Sequence, residues 1–467
     1  MKNKIDQRGK ENLVLAIQSH KKDDFQIAEN LYKKHLKSSP DDVEALNNLG
    51  IIFFQLKKHQ EAISYYEKAI KINPNYAEAH NNLGVVFKIL GEHKNAVSSY
   101  EKAIKINPNY AEAHNNLGSV YKELKEYYKA KDFYEKATKI NPNYVEGYNN
   151  LGVVFKILGD YKNAISSYEK AIKVSPNYSV SLNNLGSVFY ELGEYDKSKS
   201  YYKKSIEANP NNPDAYWNKQ AFATDIDEAL AILKKLFIID NKNIKAKIML
   251  SALQTYKGNT NKTEDLLPLE LSRHPHFRSI KWIFSLPTLP KIFFNRLDFF
   301  DAVIKLSDNS KPFYEFGVWN GVSFQYLINA FKKGFGFDTF SGLPEAWYNM
   351  PKGSYSSFGA VPKIEGGEFI VGKFEDTLPD FFSKERPIAS LINFDADLYS
   401  STLCALNYSN KVIDEKTILI FDELIMNENW EQDEFKALNE FCDNSGFTYE
   451  VIAFSLSTKQ VAIKLKR

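Results

Sequence analysis

Apolar residues recur through the front half of the chain at helical spacing, and the pattern itself repeats. Leu83, Gly84 and Phe87 fall on one helical face, and the small Ala96 and Ala103 sit a helical period apart, where a partner helix must approach closely. Proline returns at Pro40, Pro74, Pro108, Pro142, Pro176 and Pro210, a spacing of 34 throughout, and Gly50, Gly84, Gly118, Gly152 and Gly186 keep the same period. Proline lacks an amide donor and restricts the residue before it, so each one ends the second helix of a pair. The pattern predicts six repeats over about 9–212, then two degraded ones at 213–240 and 241–275, the last with a second helix beginning near Lys262. Degraded end repeats are what a capped stack requires.

From Lys291 the pattern changes. A helix-like stretch at about 295–307 precedes short apolar runs at 312–318, 334–338, 368–371, 388–394, 417–421, 447–455 and 459–465. Apolar strands separated by helix-length segments predict a parallel sheet covered on both faces. Only a few residues separate the last two strands, too few for a crossover, so they are expected to form an antiparallel hairpin. The fold expected is an α-solenoid at 1–275, a connector at 276–294 containing Pro287 and Pro290, and an α/β doubly wound sheet with a terminal antiparallel hairpin at 295–467.

Composition narrows the function. Apolar residues make up 43% and charged residues 25%, the balance of a folded domain. No run approaches the ~18 uninterrupted apolar residues of a membrane helix, and the polar N-terminus lacks the apolar core of a secretory signal. A cytoplasmic location is expected. A net charge of +2 argues against a dedicated nucleic-acid binder. Cys404 and Cys442 cannot build a disulfide framework or a thiolate cage. All eight histidines precede residue 277, so if the back half is catalytic it works without imidazole.

The 34-residue period, with its Ala-Glu-Ala-His-Asn-Asn-Leu-Gly blocks and Asn-Pro-Asn ends, resembles tetratricopeptide repeats, each a pair of antiparallel helices. Asparagine pairs recur at Asn47-Asn48, Asn81-Asn82, Asn115-Asn116, Asn149-Asn150 and Asn183-Asn184. Asparagine is a poor helix former, so the recurrence asks for a reason. Similar repeats in the O-GlcNAc transferase array use an asparagine ladder to hold peptide backbone, and an amide offers both donor and acceptor. Asn82, Asn116, Asn150 and Asn184 are therefore candidates to bind a peptide or protein, against the plainer reading that recent duplication copied them without a role.

In the back half the turn Glu315-Phe-Gly317-Val-Trp-Asn-Gly321-Val-Ser323 follows the first long strand. It is not Gly-x-Gly-x-x-Gly, so a pyrophosphate cradle is not indicated. Gly317 and Gly321 still let backbone approach a ligand closely. Asp338, 21 residues after Gly317 and at the end of a short strand, stands where a nucleoside ribose is held. Two acidic clusters, Asp395-Ala396-Asp397 and Asp422-Glu423, each follow an apolar run. Acids at the carboxyl ends of strands face the ligand crevice of an open sheet, and gathering four there calls for positive charge. Without histidine or a thiol cluster the candidate is a hard divalent cation such as Mg²⁺. Helix caps after strands are the alternative.

The strings Tyr-Glu-Phe-Gly-Val-Trp-Asn-Gly (314–321), Gly-Phe-Asp-Thr-Phe-Ser-Gly-Leu-Pro-Glu-Ala-Trp (336–347), Gly-Lys-Phe-Glu-Asp-Thr-Leu-Pro (372–379), Asp-Ala-Asp-Leu-Tyr-Ser-Ser-Thr (395–402) and Phe-Asp-Glu (421–423) resemble the macrocin O-methyltransferase family, class I S-adenosylmethionine-dependent enzymes that methylate sugar hydroxyls with a divalent metal. The resemblance covers about 295–467. It implies that Asp395, Asp422 and Glu423 ligate the metal, with Asp397 as general base. It implies that Glu315, Gly317, Gly321 and Asp338 hold S-adenosylmethionine, that the Phe374–Thr377 turn lies near the adenine, and that Trp347 floors the acceptor site, against the plainer reading that this aromatic packs under a loop. Glu423 departs from the family, which carries a second Asp there. The expected function is thus O-methylation of a sugar hydroxyl on a glycan or glycosylated molecule, with the repeats recruiting a protein. A protein methyltransferase fed by the array and a non-catalytic repeat scaffold are the competing readings.

Overall fold

The computed structural model describes residues 2–258, 271, 273–346, 352–357 and 359–467, with side chains from residue 10 onward. The chain divides into two compact units, Met1–Pro176 and Asn177–Arg467. The boundary expected near 275 therefore falls inside the second unit.

The first unit is five helical hairpins, from Lys2–Lys21 with Phe25–Ser38 to Val145–Ile157 with Tyr161–Val174. The 34-residue period has a plain steric cause. A methyl group on Gly84 would meet the Tyr100 ring at 2.7 Å, and Gly50, Gly118 and Gly152 face Tyr66, Tyr134 and Tyr168 in the same way. Each tyrosine is fully buried in the second helix of its hairpin, so the first helix must present a residue without a side chain. Ala62, Ala96, Ala130 and Ala164 are likewise fully buried at the same spacing. The repeat histidines are structural: His80 and His114 reach the Pro74 and Pro108 carbonyls at 3.1 and 3.0 Å, and burial lowers the pKa of both.

The asparagines bond chiefly to one another. Asn82 Nδ2 donates to Asn47 Oδ1 at 3.0 Å, Asn116 to Asn81 at 3.1 Å and Asn150 to Asn115 at 2.9 Å. The first residue of each pair is buried and the second is half-buried. In the second unit Asn218 continues the pattern onto Asn183 at 3.0 Å, a member the sequence reading did not include.

The second unit starts with the hairpin Ser179–Glu191 and Tyr195–Ala208, followed by the degraded repeat helices Pro213–Lys219, Ile226–Ile239 and Ile244–Tyr256. The helix expected near Lys262 lies outside the described residues. The segment read as a connector is structured: it holds the helix Pro275–Phe284 and a short strand, β1 (Lys291–Phe293). The two prolines that made it look like a linker, Pro287 and Pro290, fall between the helix and the strand.

The strands that follow are β2 (Phe313–Phe316), β3 (Gly334–Asp338), β4 (Gly367–Val371), β5 (Leu391–Phe394), β6 (Ile418–Phe421), β7 (Thr448–Ser455) and β8 (Val461–Lys466). They form one mixed sheet in the order β1-β7-β8-β6-β5-β2-β3-β4, parallel except for β8, which runs antiparallel to both β6 and β7. The hairpin expected at the end is present. The degraded repeats share a core with the sheet, Leu233, Leu253 and Ile280 joining Phe454 and Leu424 in one buried cluster. Tyr256 fixes β1 by donating to the Pro290 carbonyl at 3.1 Å and accepting from the Ile292 amide at 3.3 Å.

Candidate active site

β5 and β2 lie side by side and parallel, and the order of strands reverses between them, which opens a crevice at their carboxyl ends. The register there is set by phenylalanines. Phe337, Phe316, Phe394 and Phe421 occupy paired positions on β3, β2, β5 and β6 and stack in sequence at 4.7, 5.4 and 4.9 Å. Such pairs contribute roughly 0.5–1.5 kcal/mol each beyond area burial. The next residue on each strand is Asp338, Gly317, Asp395 or Asp422, so an apolar ladder places the polar row at one level. All four line a cavity of about 320 Å³, together with Asp397, Glu423 and Phe374. That volume lies at the small end of ligand pockets.

Gly317 is obligatory: its φ is +91°, and a side-chain carbon would lie 1.8 Å from the Asp395 carbonyl oxygen. Asp338 braces the rim with both oxygens. Oδ2 accepts from the Val318 and Trp319 amides at 2.8 and 2.7 Å, and Oδ1 from the Phe340 amide at 2.6 Å. Phe374 starts the helix Phe374–Phe381 and packs edge-on against Phe316 at 5.6 Å. Two expected cofactor residues stand apart from this cavity. Gly321 caps the helix Val322–Phe331 with φ +79° and lines a neighbouring cleft. Glu315 is wholly buried in β2, accepts from Asn393 Nδ2 at 2.8 Å, and has its pKa pushed up to about 8 by burial. Trp347 lies outside the described residues.

Charge at the rim is unevenly balanced. Arg296 Nη2 donates to Asp422 Oδ1 and Oδ2, both at 2.6 Å, and Gln460 Nε2 donates to Asp422 Oδ1 at 2.7 Å. Lys459 Nζ pairs with Glu423 Oε1 at 2.7 Å. Burial opposes charge on Arg296 and Lys459, but Asp422 beside the first and Glu423 beside the second outweigh it and raise both pKa values. No hydrogen bond reaches the Asp395 or Asp397 carboxylate among the described residues. Burial, and then Asp422 for Asp395 and Glu423 for Asp397, hold both well above the usual carboxylate range. Buried Glu434 accepts from the Glu423 amide at 3.1 Å, and burial with Asp397 nearby raises it as well.

Backbone strain gathers at the same place. Trp319, Phe340, Tyr355, Asp397 and Lys459 all have φ between +49° and +63°. Trp319, Tyr355 and Asp397 line the cavity, Phe340 adjoins it, and Lys459 is bonded to its wall. Non-glycine residues rarely hold this conformation, and where they cluster the surrounding structure enforces them, often at functional sites.

The carboxylates expected to share a metal ion do converge here. As arranged, however, Asp422 is occupied by Arg296 and Gln460, and Glu423 by Lys459. Among the described residues no group of three or more His, Cys, Asp or Glu is disposed to hold a metal ion. The residues present therefore do not fit the expected three-carboxylate set. Asp395 and Asp397 line the cavity and accept no hydrogen bond among the described residues.

Sequence reasoning missed the cations, Gln460 and Glu434. It also missed Tyr190, Glu191 and Tyr195, which the last regular repeat contributes to the cavity wall. Asn320 Nδ2 holds that turn by donating to the Glu191 carbonyl at 3.3 Å. A demand for charge balance around four acids could have drawn attention to Lys459 in the hairpin turn; nothing in the sequence marks Arg296.

Family profiles of the tetratricopeptide repeat match residues 43–76, 65–97, 86–125, 111–144 and 144–211, so this stretch is a tetratricopeptide repeat array. No curated protein matches the chain. Solved structures similar to it include the MamA protein, at 29% identity and TM-score 0.32 over 36% of this chain and 93% of that one. PilF of Pseudomonas aeruginosa is 23% identical, TM-score 0.40, over 47% and 97%. A tetratricopeptide repeat protein of Parabacteroides merdae is 20% identical, TM-score 0.44, over 53% and 99%. No helix among the described residues is long and apolar enough to cross a membrane.

Proposed function

We propose that the chain is an S-adenosylmethionine-dependent O-methyltransferase whose repeats engage a protein or peptide partner and whose acceptor is a hydroxyl of a glycan or glycosylated molecule. The observation carrying this reading is the row that holds Asp338, Gly317 and Asp395 at the switch point of the sheet, with Asp397 two residues further on; Asp395 and Asp397 line the cavity and accept no hydrogen bond among the described residues. When bound, the cofactor would supply a methyl group made electrophilic by its sulfonium. Gly317 would let backbone close on its amino-acid end, Asp338 would accept from its ribose, and Phe374 would flank its adenine. Asp395 would face the positive charge.

Asp397 would take the acceptor's proton as its oxygen attacks the methyl carbon and the carbon–sulfur bond breaks. Burial and the neighbouring Glu423 raise the Asp397 pKa, which makes its ionised carboxylate a stronger base than an exposed one. No step here runs through a metal ion. In support of a protein partner, the half-buried Asn82, Asn116 and Asn150 keep an acceptor each after forming their inter-repeat bonds.

The test is incubation of the purified chain with methyl-labelled S-adenosylmethionine and cell extract, followed by separation of saccharide from protein. Label in saccharide is expected. Label in protein would transfer the reading to a peptide acceptor. Absence of any calorimetric binding of S-adenosylhomocysteine would refute both and leave a non-catalytic scaffold.

A further inference from the structure

We propose that Arg296 and Lys459 stand as fixed side-chain cations in the place a divalent ion would take, so that the acidic rim is balanced by the chain itself and takes up no metal. The inference rests on the methyl-transfer reading for its chemical meaning, while its test does not.

Of the four carboxylates in the two acidic clusters, Asp395, Asp397, Asp422 and Glu423, two are engaged by side-chain cations. Both oxygens of Asp422 lie 2.6 Å from one guanidinium nitrogen, and Gln460 adds a third contact at 2.7 Å. Glu423 is held by Lys459 at 2.7 Å. Magnesium demands a near-octahedral oxygen set at about 2.0–2.1 Å. To reach Asp422 at that distance it would have to sit against a guanidinium that cannot lose its proton.

Neither cation is a loose surface chain. Arg296 is the first residue of the helix Arg296–Lys305, whose Asn295 cap accepts from the Asp298 amide at 2.8 Å. The phenols of Tyr190 and Tyr195, from the last regular repeat, lie close enough to interact with it electrostatically and line the same cavity. Lys459 is held in the turn between β7 and β8 with φ +63°, a conformation that sets its direction. What remains is Asp395 and Asp397, one negative charge for a sulfonium and one acceptor for a proton. A divalent ion would add charge that the site does not need.

The test is calorimetric titration of MgCl₂ and MnCl₂ into the full chain, with and without S-adenosylhomocysteine. Expected for the wild type is no saturable uptake tighter than about 1 mM, and an S-adenosylhomocysteine affinity unchanged by chelator. The Arg296→Met/Lys459→Met variant is expected to gain saturable Mg²⁺ binding, at least about tenfold tighter than wild type. One equivalent of either ion taken up tightly by the wild type overturns the proposal. If circular dichroism shows that the double variant does not fold, Lys459→Met alone decides the second arm through a gain, or none, in Mn²⁺ affinity. Failure of S-adenosylhomocysteine to bind bears on the methyl-transfer reading alone, because the wild-type ion titration is read either way.

Discussion

Glu315 gives the sharpest physical prediction. Its side chain is wholly buried in β2 between β3 and β5, and one oxygen accepts from Asn393 Nδ2 at 2.8 Å. Its other oxygen, Oε2, and the Asn393 amide oxygen both lack partners. A proton on Oε2 would give that amide oxygen a donor and close a reciprocal acid–amide pair. Burial pushes the Glu315 pKa up to about 8, against the Ser323 hydroxyl, the Asn393 amide and the Arg296 charge, which favour ionisation. An acid with a raised folded-state pKa binds more protons folded than unfolded. Between the unfolded value of 4.5 and about 8, stability must therefore fall as pH rises. The slope is about 1.4 kcal/mol per pH unit, or about 3 kcal/mol between pH 5 and 7.5. Glu315→Gln keeps the shape, supplies the donor and removes the titration. Urea unfolding of both proteins from pH 5 to 8 should show the variant gaining on the wild type steadily, by about 3 kcal/mol at pH 7.5 relative to pH 5. A difference that stays constant across that range would refute the assignment. Because Glu315 does not line the cavity, S-adenosylhomocysteine affinity in the variant is expected to stay within about threefold of wild type, a free-energy change of under about 1 kcal/mol.

The other predictions are smaller in scope. Asp397→Asn removes the proton acceptor and should lower label transfer by about 10²–10⁴-fold while calorimetric S-adenosylhomocysteine affinity is kept; undiminished turnover would remove Asp397 from the chemistry. Gly84→Ala pushes a methyl group to 2.7 Å from the Tyr100 ring and should destabilise the first unit by about 1–3 kcal/mol in urea unfolding. Asn116→Ala takes the donor from buried Asn81 Oδ1 and should cost about 1–2 kcal/mol. If the same asparagine also holds peptide, pull-down of a repeat partner should weaken beyond what Asn95→Ala, on an exposed surface, produces.

The repeats were legible because one steric fact, a glycine against a buried tyrosine, is written into the chain every 34 residues. The strands were legible because β5 and β6 are unbroken apolar runs, and the hairpin followed from the short link between β7 and β8. β1 escaped notice because three residues carry no alternation, and its place beside β7 depends on Tyr256 from a degraded repeat. The asparagines were visible as a pattern, but their geometry was not. A spacing of 34 cannot distinguish an amide that faces a ligand from one that bonds the amide of the preceding repeat.

The acidic rim shows why a site can be half read. Each acid directly follows a strand, so local order placed Asp395 and Asp422 correctly. Charge balance is not local. Arg296 precedes Asp422 by 126 residues and Lys459 follows Glu423 by 36, and only the order of strands in the sheet brings them together. Counting acids along the chain left an apparent surplus of negative charge, for which a metal ion was the economical solution. Arg296 and Lys459 remove half of that surplus, and the residue left over, Asp395 and Asp397, matches a monovalent cation and a transferable proton. The same arrangement explains why a repeat hairpin reaches the rim. Arg296 keeps only part of its side chain exposed, and the phenols of Tyr190 and Tyr195 lie close enough to interact with it electrostatically while lining the same cavity.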